Sequence, residues 1–230
     1  MIGVIGGVGF SEAEIFKNAI VEEIETPYGM TFVLTLREFF FIPRHGLNGK
    51  IPPHMINYKA NIFAFNIKGI TKIIGVNSVG SLKKELYPPS ILIPHDYICP
   101  WDIVTFFDDK IVHTIPSIDE ELRQSLISKS EEFGLKVVKK GVYVQTTGPR
   151  LETKAEIQMI CNFGDVVGMT MTNEATVAKE LGLRYASICS VDNYAHGIFD
   201  EELTNEVILN NARKNREKIR EFILNIAGEL

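Results

Sequence analysis

Residues 165–191 read DVVGMTMTNEATVAKELGLRYASICSV and decide the fold class of this chain. The two ends of the segment, residues 165–169 and 184–191, are apolar runs of strand length. Between them, residues 173–181 have the apolar spacing of a helix, and Gly182 follows as a helix stop. A strand, a helix and a second strand in this order are typical of parallel strands joined by a helix. The segment therefore predicts an α/β protein.

The same alternation continues on both sides of this segment. Apolar runs of strand length occupy residues 1–6, 31–42, 70–76, 91–94 and 136–146. Helical spacing occupies residues 57–68, 119–133, 154–161 and 204–227. Ser117 is placed to cap the second of these helices. The sequence therefore predicts a mixed, largely parallel central sheet flanked by helices. Because no linker or internal repeat interrupts the pattern, we expect a single domain over residues 1–230.

The composition limits what the protein binds. The 230 residues carry 24 basic and 29 acidic side chains, a net charge of −5. This disfavours nucleic acid as a partner, because nucleic-acid backbones select basic surfaces. The three cysteines are far apart and lack CxxC spacing, so neither a zinc site nor a disulfide framework is predicted. Neither a secretory signal nor a run of the ~20 apolar residues that cross a membrane is found. We therefore expect a cytoplasmic protein without a membrane partner.

Polar side chains and glycines follow several of the predicted strands. These strand ends hold residues 6–9, Arg44, His45, Asn77, Ser78, Thr170, Asp192 and Asn193. Ligands of parallel sheets bind beyond the carboxyl ends of the strands, so we expect these residues to meet in one site. Arginine offers paired planar donors that suit phosphate, and histidine adds a donor that depends on its protonation. The glycine run does not fit a dinucleotide fingerprint, because Glu12 stands where the third glycine would be.

Four motifs carry a resemblance to a known family. They are Pro43-Arg44-His45-Gly46, GPRLETKAE at residues 148–156, GDVVGMT at residues 164–170 and SVDNY at residues 190–194. The chain resembles the purine nucleoside phosphorylase family, and most closely the branch that includes methylthioadenosine and methylthioinosine phosphorylases. The resemblance covers essentially the whole chain. It implies reversible phosphorolysis of a purine nucleoside, in which phosphate replaces the base on the sugar.

The resemblance also implies which residues bind phosphate. They are Val8, Arg44, His45, Asn77, Ser78 and Thr170. In the family the glycine-rich loop usually supplies a hydroxyl to phosphate, and Val8 at that position lacks one. The side chains at positions 77, 78 and 170 are expected to form a ring of neutral donors around the anion. Arg44 and His45, together with Asn193, are expected to act in catalysis.

A second set of residues is implied for the base and the ribose. It consists of Gly80, Leu151, Glu152, Met169, Asn193, Tyr194 and Ala195. Family members acting on 6-aminopurines carry an aspartate at the position of Asn193 and another at that of Ala195. An amide can donate to a 6-oxo group and also meet N7, and Glu152 is expected to accept from N1–H. These residues favour a 6-oxopurine base such as hypoxanthine or guanine.

The resemblance also implies how the sugar is bound and how the chains assemble. Leu151 is expected to contact the base, and Met169 to lie over the ribose. His113, from a neighbouring subunit, is expected near the 5′ group, within a homotrimer or homohexamer. The resemblance favours 5′-methylthioinosine as nucleoside, with inosine and guanosine as further substrates. Phosphate is the expected co-substrate, without a metal or an organic cofactor.

Alternative interpretations remain open at this point. A one-residue shift in register would present Asp192 instead of Asn193 to the base, and would favour 5′-methylthioadenosine. A non-catalytic nucleotide-binding module would bind without turnover and would not need Arg44. A nucleoside hydrolase would use water instead of phosphate, although the calcium-dependent kind is disfavoured because no aspartate-rich cluster stands near the N-terminus.

Overall fold

The computed structural model describes residues 1–7, 10, 14–101, 103–199 and 205–230. Its centre is one mixed sheet with the strands β1 Ile2–Gly6, β2 Ile20–Thr26, β3 Gly29–Thr35, β4 Phe39–Pro43, β5 Lys72–Ser81, β6 Ser90–Leu92, β7 Asp96–Ile98, β8 Val142–Gln145, β9 Val166–Gly168 and β10 Arg184–Tyr194. The strand order is β2-β3-β4-β1-β5-β9-β8-β7, and β10 pairs with β5 and β6. The pairs β4–β1, β1–β5 and β5–β10 are parallel. This confirms the predicted α/β class with a mixed central sheet.

Five α-helices flank the sheet in the described part of the chain: α1 Tyr58–Ile67, α2 Glu120–Phe133, α3 Lys154–Ile160, α4 Met171–Glu180 and α5 Asn205–Ile226. The predicted cap of α2 was wrong, because Asp119, and not Ser117, accepts from the backbone of Leu122. A carboxylate at a helix N-terminus satisfies a free N–H and interacts favourably with the helix dipole. Gly134 ends α2 with a positive φ of 78°, a conformation that glycine adopts without strain.

The apolar run at residues 31–42 is two strands, where the sequence predicted one segment. Arg37 and Glu38 lie exposed in the turn between β3 and β4, since burying two charged side chains within a strand would cost more than a turn. The sequence prediction also omitted β2, which pairs antiparallel with β3 at the edge of the sheet. Its sequence IVEEIET is half polar, as a strand with one solvated face requires.

Parallel strands bring their carboxyl ends to one edge of the sheet, and the close approach of two tyrosines there depends on glycine. Tyr185 on β10 and Tyr143 on β8 are both fully buried. A Cβ on Gly75 would lie 1.9 Å from the Tyr185 hydroxyl, and one on Gly168 would lie 2.3 Å from the Tyr143 hydroxyl. The two hydroxyls can therefore reach the strand ends, where Tyr143 accepts from the backbone N–H of Thr170.

Within the described residues, no helix is long and apolar enough to cross a membrane.

Candidate active site

A cavity of about 360 Å³ opens at the carboxyl ends of the parallel strands, between β5, β10 and α5. Most of the residues predicted for the site line it: Arg44, His45, Asn77, Ser78, Gly80, Leu151, Glu152, Met169, Thr170, Asn193 and Ala195. These residues are spread over 152 positions of the sequence, from 44 to 195, and the sheet topology brings them together. The arrangement follows the general rule for ligands of parallel sheets.

Arg44 is buried and paired with Glu174, which lies on α4 behind the cavity. Its Nε donates to Glu174 Oε1 and its Nη2 to Glu174 Oε2, the latter at 3.0 Å. Two more of its hydrogens go to the backbone oxygens of Val76 and Ile5, at 2.8 and 3.2 Å. A guanidinium has five N–H donors, so one Nη1 hydrogen is not used by the described residues.

The ion pair fixes the charge of Arg44. Burial alone would disfavour the charged guanidinium, but the Glu174 carboxylate outweighs it and holds the pKa of Arg44 above its ordinary value. The hydroxyl of Tyr185 also donates to Glu174 Oε2, at 2.7 Å. Arg44 is therefore a permanently charged and rigidly held group, and it can offer the free Nη1 hydrogen to an anion in the cavity.

His45 is held in one tautomer. Its Nδ1 lies 2.7 Å from the backbone oxygen of Ile51, and a carbonyl oxygen can only accept, so Nδ1 carries a proton. Burial, and then the charge of Arg44, lower the pKa of His45. The neutral ring consequently presents its other nitrogen, Nε2, as an acceptor. It lies on the side of Gly7, where an added Cβ would be 3.9 Å from it.

Asn77 lines the cavity, and its side chain is hydrogen-bonded to two neighbouring hydroxyls. The side chain is buried, its oxygen accepts from Ser187 at 2.7 Å, and its Nδ2 donates to Thr170 Oγ1 at 2.8 Å. Since Thr170 Oγ1 accepts that bond, its own hydroxyl hydrogen is available to the cavity. The hydroxyl of Thr170 thus faces the cavity as a donor, and Asn77 orients it.

A β-bulge in β10 sets the base end of the cavity. Val191 pairs with Val79, but Asn193 pairs with Gly80, so Asp192 is an extra residue opposite β5. A bulge changes the direction of the side chains around it, and both Asp192 and Asn193 line the cavity. The amide Nδ2 of Asn193 would lie 3.2 Å from a Cβ on Gly80. A glycine at position 80 therefore leaves room for this amide.

Asp192 differs from Asn193 in that its carboxylate is already bound. It is fully buried and accepts from the hydroxyls of Ser78 and Ser190. Burial holds the pKa of Asp192 above its ordinary value, and the hydrogen bonds from the two serines offset only part of that rise. Asn193 is only partly buried and donates to the backbone oxygen of Tyr194 at 2.8 Å. Of the two, Asn193 is the accessible side chain.

Glu152, Leu151 and Met169 form the wall opposite the bulge. Glu152 is buried and accepts from the Thr146 hydroxyl through Oε1, while Oε2 receives no hydrogen bond from the described residues. Leu151 is half exposed in the cavity. Met169 packs at Gly148, where a Cβ would lie 2.5 Å from its sulfur and φ is +69°. A side chain at position 148 would displace Met169 and strain the backbone.

Two of the predicted residues, Tyr194 and His113, do not line this cavity. The hydroxyl of Tyr194 donates to the Lys84 backbone oxygen and its ring packs on Phe199, with 4.6 Å between the ring centroids, so its contact with base or ribose stays a prediction. His113 is exposed and does not line the cavity, so its role at a neighbouring subunit stays a prediction. Val8 lies outside the described residues.

Sequence reasoning missed the residues behind the cavity wall. It assigned no role to Glu174 or to Ser190, and it considered Asp192 only as an alternative to Asn193. Glu174 is one of the few fully buried acidic side chains, and a carboxylate within an apolar helix segment was the available signal, since a buried carboxylate needs a cation. Ser190 stood in the SVDNY motif at residues 190–194, but nothing in the sequence gave its side chain a role.

Comparison with known proteins agrees with this geometry. A family model described as the phosphorylase superfamily matches residues 1–227. A probable 6-oxopurine nucleoside phosphorylase of Archaeoglobus fulgidus is 44% identical over 97% of this chain and 94% of the relative. A probable S-methyl-5′-thioinosine phosphorylase of Methanocaldococcus jannaschii is 40% identical over 97% of this chain and 90% of the relative.

Among solved structures, a mutant of adenosine/methylthioadenosine phosphorylase from Schistosoma mansoni in complex with methylthioadenosine is similar to this chain. The TM-score is 0.86 at 27% identity, covering 98% of this chain and 90% of that one. Sequence and fold therefore agree, and the chain belongs to the phosphorylase superfamily, in its purine nucleoside phosphorylase branch.

Proposed function

We propose that this enzyme catalyses the reversible phosphorolysis of 6-oxopurine nucleosides, with 5′-methylthioinosine as the preferred nucleoside and inosine and guanosine as further substrates. The products are the free purine base and a ribose 1-phosphate, or its 5-methylthio form, as in purine salvage. The observation that carries the proposal is the accessible amide of Asn193 beside Gly80 in the cavity. The names of the two curated relatives support the same base class.

The geometry supports a phosphate site and a separate base site within the same cavity. The Nη1 hydrogen of Arg44 and the hydroxyl of Thr170 are suited to donate to phosphate, and His45 can donate from Nε2 once a bound phosphate dianion favours the imidazolium. A phosphate oxygen then forms a bond to C1′ while the bond from C1′ to N9 breaks, and the electron pair stays on the purine. The purine takes up the proton that the hydrogen phosphate gives up on becoming the sugar phosphate, and leaves as neutral base. The Asn193 amide can donate to the charge that develops on the departing ring.

A 5′-methylthioadenosine phosphorylase is the second candidate, and the Schistosoma mansoni neighbour is the observation that favours it. A 5′-methylthioadenosine phosphorylase needs a carboxylate that accepts a hydrogen bond from the 6-amino group of the base. Asp192 is fully buried and both its oxygens are bound by serine hydroxyls, so it is poorly placed to do so. Ala195 cannot accept through its side chain. The residues of the cavity therefore favour the 6-oxopurine.

The test is base release from 5′-methylthioinosine, inosine, guanosine and 5′-methylthioadenosine, each with and without phosphate. We expect phosphate-dependent release of hypoxanthine or guanine, fastest from 5′-methylthioinosine. Preferential adenine release would contradict the base assignment, and release without phosphate would indicate a hydrolase. Binding without any turnover would favour a nucleotide-binding module. Asn193→Asp should shift the ratio towards the 6-aminopurine, and an unchanged ratio would remove Asn193 from the base site.

Assembly into a homotrimer or homohexamer belongs to the same proposal. Several large apolar side chains around His113 are exposed in the isolated chain: Ile103, Ile111, Val112 and Ile115. An apolar cluster of this kind is typical of a surface that another subunit covers. A second copy on it would bring His113 to the cavity of its neighbour, beside the 5′ group.

The remaining expectations are also part of the proposal. Phosphate serves as co-substrate, and the reaction needs neither a metal nor an organic cofactor, because positioned donors can stabilise the charges involved. The partners are small molecules, without nucleic acid or membrane. The three cysteines are unpaired, which suits the reducing cytoplasm.

A further inference from the structure

Ser78 is an exposed side chain in the middle of a buried strand. The residues before and after it on β5, Asn77 and Val79, are both buried, and Ser78 lines the cavity. A hydroxyl in that position faces whatever the cavity binds. Its role depends on where its single proton points, because a serine oxygen that has donated its hydrogen can only accept.

Asp192 accepts the hydrogen bond that this proton makes. The Ser78 hydroxyl donates to Asp192 Oδ2, and the Ser190 hydroxyl donates to Oδ1. Asp192 is fully buried, and its backbone oxygen accepts a hydrogen bond from the Asn211 side chain of α5 at 2.9 Å. The bulge and the helix together fix the carboxylate, and the carboxylate fixes the hydroxyl. Ser78 therefore turns its lone pairs, and not its hydrogen, towards the cavity.

The position of Ser78 along β5 says which part of the ligand it faces. One residue earlier, Asn77 orients Thr170 at the end suited to phosphate. Two residues later, Gly80 makes room for the Asn193 amide at the end suited to the base. In phosphorolysis the sugar lies between phosphate and base, since C1′ exchanges one for the other. Ser78 thus faces the sugar.

An acceptor is also the wrong group for a phosphate anion, whose oxygens need donors. The expectation that Ser78 belongs to a ring of phosphate donors is not supported by its hydrogen bond to Asp192. A sugar that gains positive charge as its bond to the base breaks is, in contrast, stabilised by lone pairs and by a carboxylate behind them.

We propose that Ser78 is a catalytic residue that turns a pure acceptor towards the sugar ring, and that Asp192 is the positioning residue that keeps it so. The inference rests on the proposed phosphorolysis. Neither side chain exchanges a proton or forms a bond to the substrate. Phosphate bonds to C1′, the base leaves with the electron pair, and the dyad of Ser78 and Asp192 stabilises the positive charge between them.

The experiment separates the catalytic step from binding in three variants: Ser78→Ala, Asp192→Asn and, as a conservative replacement, Ser78→Thr. We expect the first two to lower kcat by about tenfold or more, the order of effect of losing one preorganised polar group. The KM values for nucleoside and phosphate should change by less than about threefold, which is well below that effect. Ser78→Thr keeps the hydroxyl and should retain most of kcat. Ser128→Ala, an exposed serine on α2, is the matched control.

A binding measurement adds a second result, which would not change if Ser78 and Asp192 had only a structural role. Two nucleoside analogues are compared, one with a protonated ring nitrogen in place of the ring oxygen and one with an uncharged carbon there. We expect Ser78→Ala and Asp192→Asn to weaken the cationic analogue at least about tenfold more than the neutral one, in line with the loss of kcat. Equal weakening of both analogues would overturn the proposal even if the variants fold poorly.

The outcomes distinguish this inference from the proposed function. If the unmodified enzyme turns over no purine nucleoside with phosphate, the proposed function fails and the inference fails with it. If the unmodified enzyme is active and Ser78→Ala has the same kcat, only the inference fails. A rise confined to the KM for phosphate in Ser78→Ala would show that Ser78 binds phosphate, and would also overturn the inference.

Discussion

Arg44 is used within the protein and is also the phosphate ligand of the proposed function. Four of its five donors are used within the protein, two of them by Glu174. Replacing it by alanine would not simply remove a phosphate ligand, because the Glu174 carboxylate would remain buried without a cation. Removing one member of a buried ion pair typically costs about 3–5 kcal/mol. Phosphate kinetics of such a variant would therefore mix lost binding with lost folding.

A double-mutant cycle tests this pair. We expect Arg44→Met and Glu174→Gln each to lower the free energy of unfolding by about 3–5 kcal/mol, and the double variant to lose clearly less than the sum. The reason is that each single variant leaves a buried charge without its partner. Urea unfolding of the four proteins measures the coupling. Additive losses would mean that the two side chains act independently.

His45 gives the site a defined dependence on pH. Because burial and Arg44 lower its pKa, its folded-state pKa lies below the ordinary value of about 6.5. Between those two values the unfolded chain binds the proton more tightly, so stability falls as pH decreases from about 6.5 through the folded pKa. Above about 6.5 both states are neutral and this contribution does not change.

NMR titration of the His45 ring checks the direction of the shift. We expect a midpoint below about 6.5 without phosphate and a higher midpoint with phosphate, because a bound dianion favours the imidazolium. His45→Gln assigns the signal and should remove this part of the pH dependence of stability. A midpoint above that of an unperturbed histidine would contradict the burial and the Arg44 contact.

At the scale of elements, the start of α3 shows what local sequence specifies well. Thr153 accepts from the backbone of Glu156 at 3.2 Å, and the Glu156 carboxylate accepts from the backbone of Thr153 at 2.7 Å. This reciprocal capping box can be recognised from four residues. It also orients the turn at residues 148–152, which carries Leu151 and Glu152 into the cavity.

Thr153→Ala is expected to lower the free energy of unfolding by about 1 kcal/mol, the usual cost of a lost N-cap. Thr153→Ser keeps the hydroxyl and should retain most of the stability. Thermal and urea unfolding measure both variants. If the alanine and serine variants are equally stable, the side-chain cap contributes nothing. A larger KM for the nucleoside in the alanine variant would further link this cap to the position of Glu152.

The bulge in β10 is an element that local sequence did not specify. Val191, Asp192 and Asn193 form part of a continuous apolar and polar strand pattern, and no glycine marks an extra residue. Alignment by resemblance predicts Asn193 at the base, and the structure places this side chain in the cavity. The bulge turns Asn193 to the cavity beside Gly80, while Asp192 is used by two serines.

At the scale of the whole molecule, the cavity depends on strands that are distant in sequence and adjacent in the sheet. The proposed assembly would extend this principle to a second chain. The exposed apolar residues near His113 leave the isolated chain with a surface suited to a partner, and in the proposed assembly they would connect oligomeric state to activity.

Ile111→Glu combined with Ile115→Glu tests that connection. Both side chains are more than 80% exposed in the single chain, so the change should leave folding intact, whereas a charge within an apolar interface opposes association. We expect light scattering to show a multiple of 25.8 kDa for the unmodified protein and a smaller mass for the variant. The variant should also show weaker binding of 5′-methylthio nucleosides. Ile67→Glu, an exposed residue on α1, is the control. An unchanged mass would contradict the placement of the interface.

The sequence by itself determined the class of the fold and most members of the site. Its alternation of apolar strands and helices follows from local periodicity, and Arg44, Thr170 and Asn193 stand at strand ends that a parallel sheet brings together. What each polar group can do was decided only by the tertiary structure. Asn77 orients Thr170, Glu174 holds Arg44, and Asp192 directs Ser78, because the direction of a hydrogen bond depends on partners that folding supplies from distant parts of the chain.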